Sequence, residues 1–179
     1  MKLNIHLLVD RSPELPYFIL AVIYIFGRAD PESAHIFSVT FLFVLFSLVV
    51  GLALKTCFKT ERPKRRYNLP ALRYDFPSLH SMISIGMVVF FYYVNPIYAA
   101  IFIPVGLFYL YSRIKLKAHS VFGVLGGALL GMLIGFIFGI STDSIRLPET
   151  LELFFSIMLF CTPLLTTIFR MKYSERMEF

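Results

Sequence analysis

Long apolar runs, each bounded by charged residues or proline, constrain this chain more than any other feature. They fall near residues 15–27, 34–58, 78–94, 97–111, 119–140 and 150–169. A helix crossing the hydrocarbon core needs about 20 apolar residues, and only helices or closed barrels satisfy every backbone polar group there. The expected fold is therefore all-α: a polytopic membrane bundle of about six transmembrane helices, with residues 1–179 forming one integral membrane domain. Composition agrees. At 58% hydrophobic, with 20 Phe and only 16% charged residues, the chain is too apolar for an ordinary soluble domain and offers nothing to a nucleic acid. The first run carries no small-residue cleavage site after it and is expected to stay. Cys57 and Cys161 lack metal-ligand spacing, which points away from a zinc site or a disulfide scaffold.

Two connections are strongly polar, "KTERPKRRYNLPALRYDFP" over 59–77 and "SRIKLK" over 112–117. With six spans, both lie on one face together with the two termini. That face holds 15 of the 17 Lys and Arg residues, leaving Arg28 and Arg146 on the other. By the positive-inside rule the crowded face is cytoplasmic, and setting aside Lys55, Arg62 and Arg113 still leaves 12 against 2. In the fifth run, Gly123, Gly127, Gly131, Gly135 and Gly139 recur at every fourth residue. At about 3.6 residues per turn this is one slowly drifting stripe, a surface on which a neighbouring helix approaches closely. His119 falls one step before Gly123 on the same progression, so it is expected to face the bundle.

Ionisable groups beside a bilayer are costly to bury and point to function. Three clusters lie on the crowded face. In "KTCFKTERP", Lys55 and Arg62 are seven residues apart, close to two helical turns. A helix continuing to Arg62 and ended by Pro63 would present both on one side, where two cations suit a phosphate dianion. Lys59, Lys64, Arg65 and Arg66 are explained by attraction to anionic headgroups. In "DFPSLH", Pro77 fits the first turn of a helix whose unpaired N–H groups form an anion site. Ser78 adds a hydroxyl there, and His80 stands beside the bound group. In "SRIKLKAH", Arg113 and His119 are six residues apart and converge if a turn intervenes at "KLKA". A neutral imidazole can attack phosphorus, and a guanidinium can stabilise the charge that develops.

In this order, "K-x6-RP" (Lys55 to Pro63), "PSLH" (Pro77 to His80) and "SR-x5-H" (Ser112 to His119) resemble the three signature motifs of the type 2 phosphatidic acid phosphatase superfamily. The resemblance implies a metal-independent membrane phosphatase that needs no cofactor. It implies His119 as the nucleophile that forms a phosphohistidine and His80 as the acid for the leaving group. Lys55, Arg62, Ser78, Leu79 through its backbone N–H, and Arg113 would hold the phosphoryl oxygens. The substrate class implied is a lipid phosphate or diphosphate of the polyprenyl diphosphate, phosphatidate or phosphatidylglycerophosphate type, and the partners are membrane lipids.

The chain departs from the family pattern twice. Leu79 stands where the second motif usually has glycine, which changes shape but keeps the backbone N–H. Gly123 stands where the third motif usually has Asp, whose carboxylate would orient the histidine through its far ring nitrogen. A backbone carbonyl, a water, or a carboxylate such as Asp75 are the candidate substitutes, and the sequence does not choose among them. Two other functions follow from the same residues: a phosphatase-like lipid-binding protein that lost turnover with the Asp, and a transferase passing the phosphoryl group to an alcohol. Cys57 is expected to pack, Asp143 and Arg146 to lie in a solvated connection, and His6 and His35 have no assigned role.

Overall fold

The computed structural model describes residues 19–20, 22–23, 31–63 and 72–174, with no side-chain description beyond Cys161. Among these residues every regular element is helical. They are α1 (Pro31–Phe58), α2 (Leu79–Val94), α3 (Pro96–Lys115), α4 (Val121–Ser141), the short 3₁₀ turn Thr142–Ser144 and α5 (Glu149–Ser174). These cover five of the expected runs. The first run lies mostly outside the described residues, although residues 19, 20, 22 and 23 within it are helical. Among the described residues, three helices are long and apolar enough to cross a membrane: Glu32–Phe58, Pro96–Lys115 and Val121–Ser144. α2 is also apolar but has only 16 residues, a rise of about 24 Å against a core of about 30 Å.

Local chemistry sets the helix ends. Ser78 caps α2 and Ser120 caps α4, each with its side chain accepting an amide three residues on. Asn95 ends α2 and begins α3. Its amide donates to the Phe91 carbonyl at 2.7 Å, and its side chain accepts from Ile97 N at 3.0 Å. Pro96 at the first position of α3 has no amide to leave unpaired. A one-residue link of this kind makes α2 and α3 antiparallel neighbours.

α2 lies at the centre, packed on α4 and α3, while α1 packs on α5 and on the α2–α4 pair. The core joins Phe37 and Phe43 of α1 to Met82, Phe90 and Phe91 of α2, Phe102 of α3, Ile134 of α4 and Leu159 of α5. Phe91 stacks on Phe102 with ring centroids 5.1 Å apart. The glycine stripe of α4 faces α2, as the four-residue spacing predicts. A Cβ on Gly131 would strike the Met82 carbonyl, and one on Gly135 the Gly86 carbonyl. Backbone meets backbone along this seam, and no larger residue fits. The opposite side of α4 exposes Leu125, Leu129, Leu133, Phe136 and Ile140, an apolar face suited to lipid.

The two ends of the bundle differ. At one end, His35 meets Glu152 at 2.6 Å and the Thr142 carbonyl at 3.1 Å, which ties α1 to α5 and to the 3₁₀ turn. Asp143 and Arg146 are exposed beside it, as expected of a solvated connection. The other end gathers the two polar connections, and the three motif stretches meet there.

Candidate active site

α1 stops at Phe58, where Lys59 enters the left-handed region (φ 47°) and donates its amide to the Lys55 carbonyl at 3.1 Å. The helix therefore ends before Arg62, against the expectation that it would run on and align Arg62 with Lys55. The two cations converge all the same, on a different scaffold. Lys55 Nζ donates to the carbonyls of Tyr74 (2.7 Å) and Asp75 (3.1 Å), and Arg62 Nε donates to that of Tyr74 (3.0 Å). Arg62 Nη1 also reaches the Ala118 carbonyl at 3.2 Å. One guanidinium thus clamps the connection before α2 to the connection before α4. Lys55 is fully buried, and an ammonium has three donors, so the two carbonyls leave it one N–H for a further acceptor.

The Asp75–Pro77 stretch is fixed from several sides. Thr60 accepts the amides of Asp75 (2.8 Å, at its carbonyl) and Phe76 (2.9 Å, at its hydroxyl). The Phe76 ring lies between Phe58 at the end of α1 and Phe122 at the start of α4, with centroids 5.1 and 5.0 Å away. The Phe76–Pro77 peptide is cis. Pro77 precedes the helix rather than occupying its first turn, because Ser78 is the cap. The Ser78 amide donates to the Gly123 carbonyl at 2.9 Å, and its hydroxyl accepts from Ser81 Oγ at 3.0 Å, which leaves the Ser78 proton for another acceptor. Leu79 and His80 follow as the first two residues of α2. The Leu79 side chain fills the space over Gly51 of α1, where any Cβ would clash with it. A glycine on the facing helix therefore accommodates the bulk at this motif position.

The turn expected at "KLKA" is present. Lys117 adopts φ 51°, and the Arg113 carbonyl accepts the amides of Ala118 (3.0 Å) and His119 (3.3 Å). This reversal folds His119 back over the last turn of α3. His119 precedes α4 instead of lying on its glycine stripe, but it is buried, as the stripe argument required. Arg113 is also buried, with its guanidinium carbon 6.0 Å from the Tyr109 ring centre. The His80 ring lies 5.9 Å from the same tyrosine. Two groups result: Lys55, Arg62 and His119 around the Tyr74–Asp75 carbonyls, and His80 with Arg113 around Tyr109. Ser78 is joined to them by its bond to the start of α4.

His119 Nδ1 lies 2.9 Å from both the Asp75 carbonyl oxygen and Asp75 Oδ1. Both partners are acceptors, so Nδ1 carries the proton and Nε2 carries the lone pair. Asp75 Oδ1 also accepts the Ser120 amide (3.1 Å), and Oδ2 accepts the Ser120 hydroxyl. Burial opposes the charge on Asp75, but the hydrogen bonds from His119 and Ser120 outweigh it and hold the carboxyl below its ordinary range. His119 is pushed down to about 4, by burial first and then by the charges of Arg62 and Lys55, against the opposing pull of Asp75. The imidazole is neutral at neutral pH, the form in which Nε2 can act as a nucleophile. The guanidinium groups of Arg62 and Arg113 outnumber the Asp75 carboxylate, a balance that suits an anion.

The model for the PAP2 superfamily matches residues 35–144, well over half of the chain and all three motif stretches. This chain belongs to the PAP2 superfamily. Neither the curated proteins nor the solved structures that were searched gave a match. Membership in the PAP2 superfamily implies phosphatase-type activity on phosphate esters, often lipids, and an association with membranes. The Tyr74 carbonyl, Thr60 and Ser120 organise the site mainly through backbone bonds, which leave no side-chain pattern to recognise in the sequence. Asp75 was one of several alternatives there. Its position, two residues before the proline of the second motif, was its only sequence signal.

Proposed function

We propose that this protein is a metal-independent membrane phosphatase that hydrolyses a lipid phosphate or diphosphate through a phosphohistidine on His119. The observation that carries this reading is the orientation of that ring, with Nδ1–H held by two acceptors and Nε2 left as the lone-pair nitrogen. In the first step Nε2 attacks phosphorus and the bond to the leaving oxygen breaks, with His80 donating a proton to it. Lys55, Arg62, Arg113, the Ser78 hydroxyl and the Leu79 amide stabilise the equatorial oxygens. This is positioning and charge stabilisation, which phosphoryl transfer mainly requires. Water then attacks the phosphohistidine, passes a proton to His80 and releases phosphate. The crowded cationic face is cytoplasmic in this reading, and a substrate with an apolar tail enters laterally from the bilayer.

The test is phosphate release from a panel of polyprenyl diphosphate, phosphatidate and phosphatidylglycerophosphate in detergent with EDTA present. Release by the parent and at least a thousandfold less by His119→Ala is expected. Equal release by both would end the hydrolase reading, and loss of the parent's release in EDTA would end the metal-free one. Transfer of the phosphoryl group to an added alcohol, with no free phosphate, would make the protein a transferase instead.

A further inference from the structure

We propose that Asp75 is the positioning residue for His119, and that position 123 is glycine because the Asp75 side chain occupies the space a side chain there would need. This rests on the phosphatase reading only in assigning the nucleophile. The sequence presents Gly123 as a loss, since a carboxylate one turn after the histidine is what the family pattern leads one to expect. The geometry presents it as half of an exchange. A Cβ on Gly123 would lie 2.7 Å from Asp75 Oδ2, closer than real Cβ atoms come, and a tight 3.0 Å from both Cγ and Oδ1. The carboxylate that reaches His119 Nδ1 thus comes from the connection before α2 and lies against the backbone of α4 where α4 has no side chain. With the Asp75 carboxylate held where it is, a side chain at 123 would have to displace it.

The rest of the surroundings fit a dedicated orienting group. The loop bearing Asp75 is fixed by Thr60 and by Phe76 packed between Phe58 and Phe122, so the carboxylate is held without help from substrate. Ser120 donates to it twice, through its amide and its hydroxyl, and uses the same hydroxyl to accept the Gly123 amide at 3.0 Å. Asp75, Ser120 and Gly123 therefore form one hydrogen-bonded unit at the start of α4. An anion at this point stabilises the positive charge that His119 acquires as Nε2 bonds to phosphorus, and it keeps the proton on Nδ1. The Asp75 backbone carbonyl shares the second task, so its side chain carries less of the tautomer control than the Asp of a Ser-His-Asp triad does. Loss of the carboxylate should then cost less than the roughly ten-thousandfold of that case, on the order of a hundredfold in kcat.

The experiment compares the full chain in detergent with Asp75→Asn, Asp75→Gly, Gly123→Asp, the double variant Asp75→Gly/Gly123→Asp, and His119→Ala. Expected are a fall in kcat of about a hundredfold for Asp75→Asn with little change in KM, and a fall for Gly123→Asp alone. In the Asp75→Gly background, Gly123→Asp should instead raise kcat, because the space is then open and the carboxylate arrives from the other side. That reversal of sign is what a purely structural role for Asp75 would not produce. Parental kcat in Asp75→Asn alongside an inactive His119→Ala overturns the inference and leaves the phosphatase reading standing, as does a loss of equal size from Gly123→Asp in both backgrounds. If parent and His119→Ala release equal phosphate, the phosphatase reading fails, and the pair is decided by NMR of histidine-labelled protein. A low-field Nδ1 proton on His119 that Asp75→Asn removes supports the pairing, and a resonance indifferent to Asp75 overturns it.

Discussion

His119 shows how a residue acquires a role from what surrounds it. Burial first, and then the charges of Arg62 and Lys55, depress its pKa to about 4 despite the Asp75 hydrogen bond. Since the neutral ring is the reactive form, the acid limb that His119 imposes on kcat/KM is expected near pH 4 and not near 6.5, and measurement from about pH 3.5 to 8 checks it. The same shift has a sign for stability. Between about 4 and 6.5 the unfolded chain binds a proton at this histidine that the folded chain does not. Stability therefore falls as pH drops through that window, which thermal unfolding in detergent at pH 7 and pH 5 would show. The meeting of these side chains at one end of the bundle was legible in advance. Lys55, Arg62 and His119 were singled out by residue type and spacing, and they do converge. Illegible was the means, because the Tyr74 and Asp75 carbonyls that gather them belong to the backbone.

Among the elements, the α2–α4 seam carries the sharpest consequence. A Cβ at Gly131 would approach the Met82 carbonyl carbon to 2.8 Å and its Cα to 2.9 Å, both backbone atoms of a packed helix. Gly131→Ala must therefore push the helices apart and is expected to destabilise the fold by about 1–3 kcal/mol. Gly106→Ala, whose Cβ would meet the tip of Ile85 at 3.1 Å and otherwise only ordinary contacts with Val88 (3.4 Å) and the Ser84 carbonyl (3.5 Å), is expected to be far milder. Thermal midpoints in detergent distinguish them, and equal shifts would show that the seam is not specially tight. The helices themselves were legible because apolar runs in a membrane chain have few alternatives, and α2, α3 and α4 begin within two residues of the expected starts. The break at Lys59 was not. Nothing in "KTCFKTERP" marks a left-handed lysine, and the seven-residue spacing favoured a helix that the chain does not form.

At the scale of the molecule, the site connections and the Asp143–Arg146 connection lie at opposite ends of the bundle, and the proposed orientation has the site end in the cytoplasm. With Cys57 and Cys161 replaced by Ala, Arg73→Cys and Arg146→Cys each add one thiol at an exposed position. A membrane-impermeant maleimide is expected to label Arg73→Cys only in inside-out vesicles and Arg146→Cys only in right-side-out ones. Labelling of both from the same side would contradict a bundle that crosses the membrane between them. The seam has one more consequence at this scale. Because α2 and α4 meet main chain against main chain at Gly131 and Gly135, little can yield between them there, and a bilayer that tilts one tends to tilt both. Ser78, the cap of α2, donates its amide to the carbonyl of Gly123 in the first turn of α4 at 2.9 Å. Two sides of the candidate site thus ride on a single stiff lever, so that a change in the thickness of the surrounding lipid would move them together and leave the spacing between them unchanged.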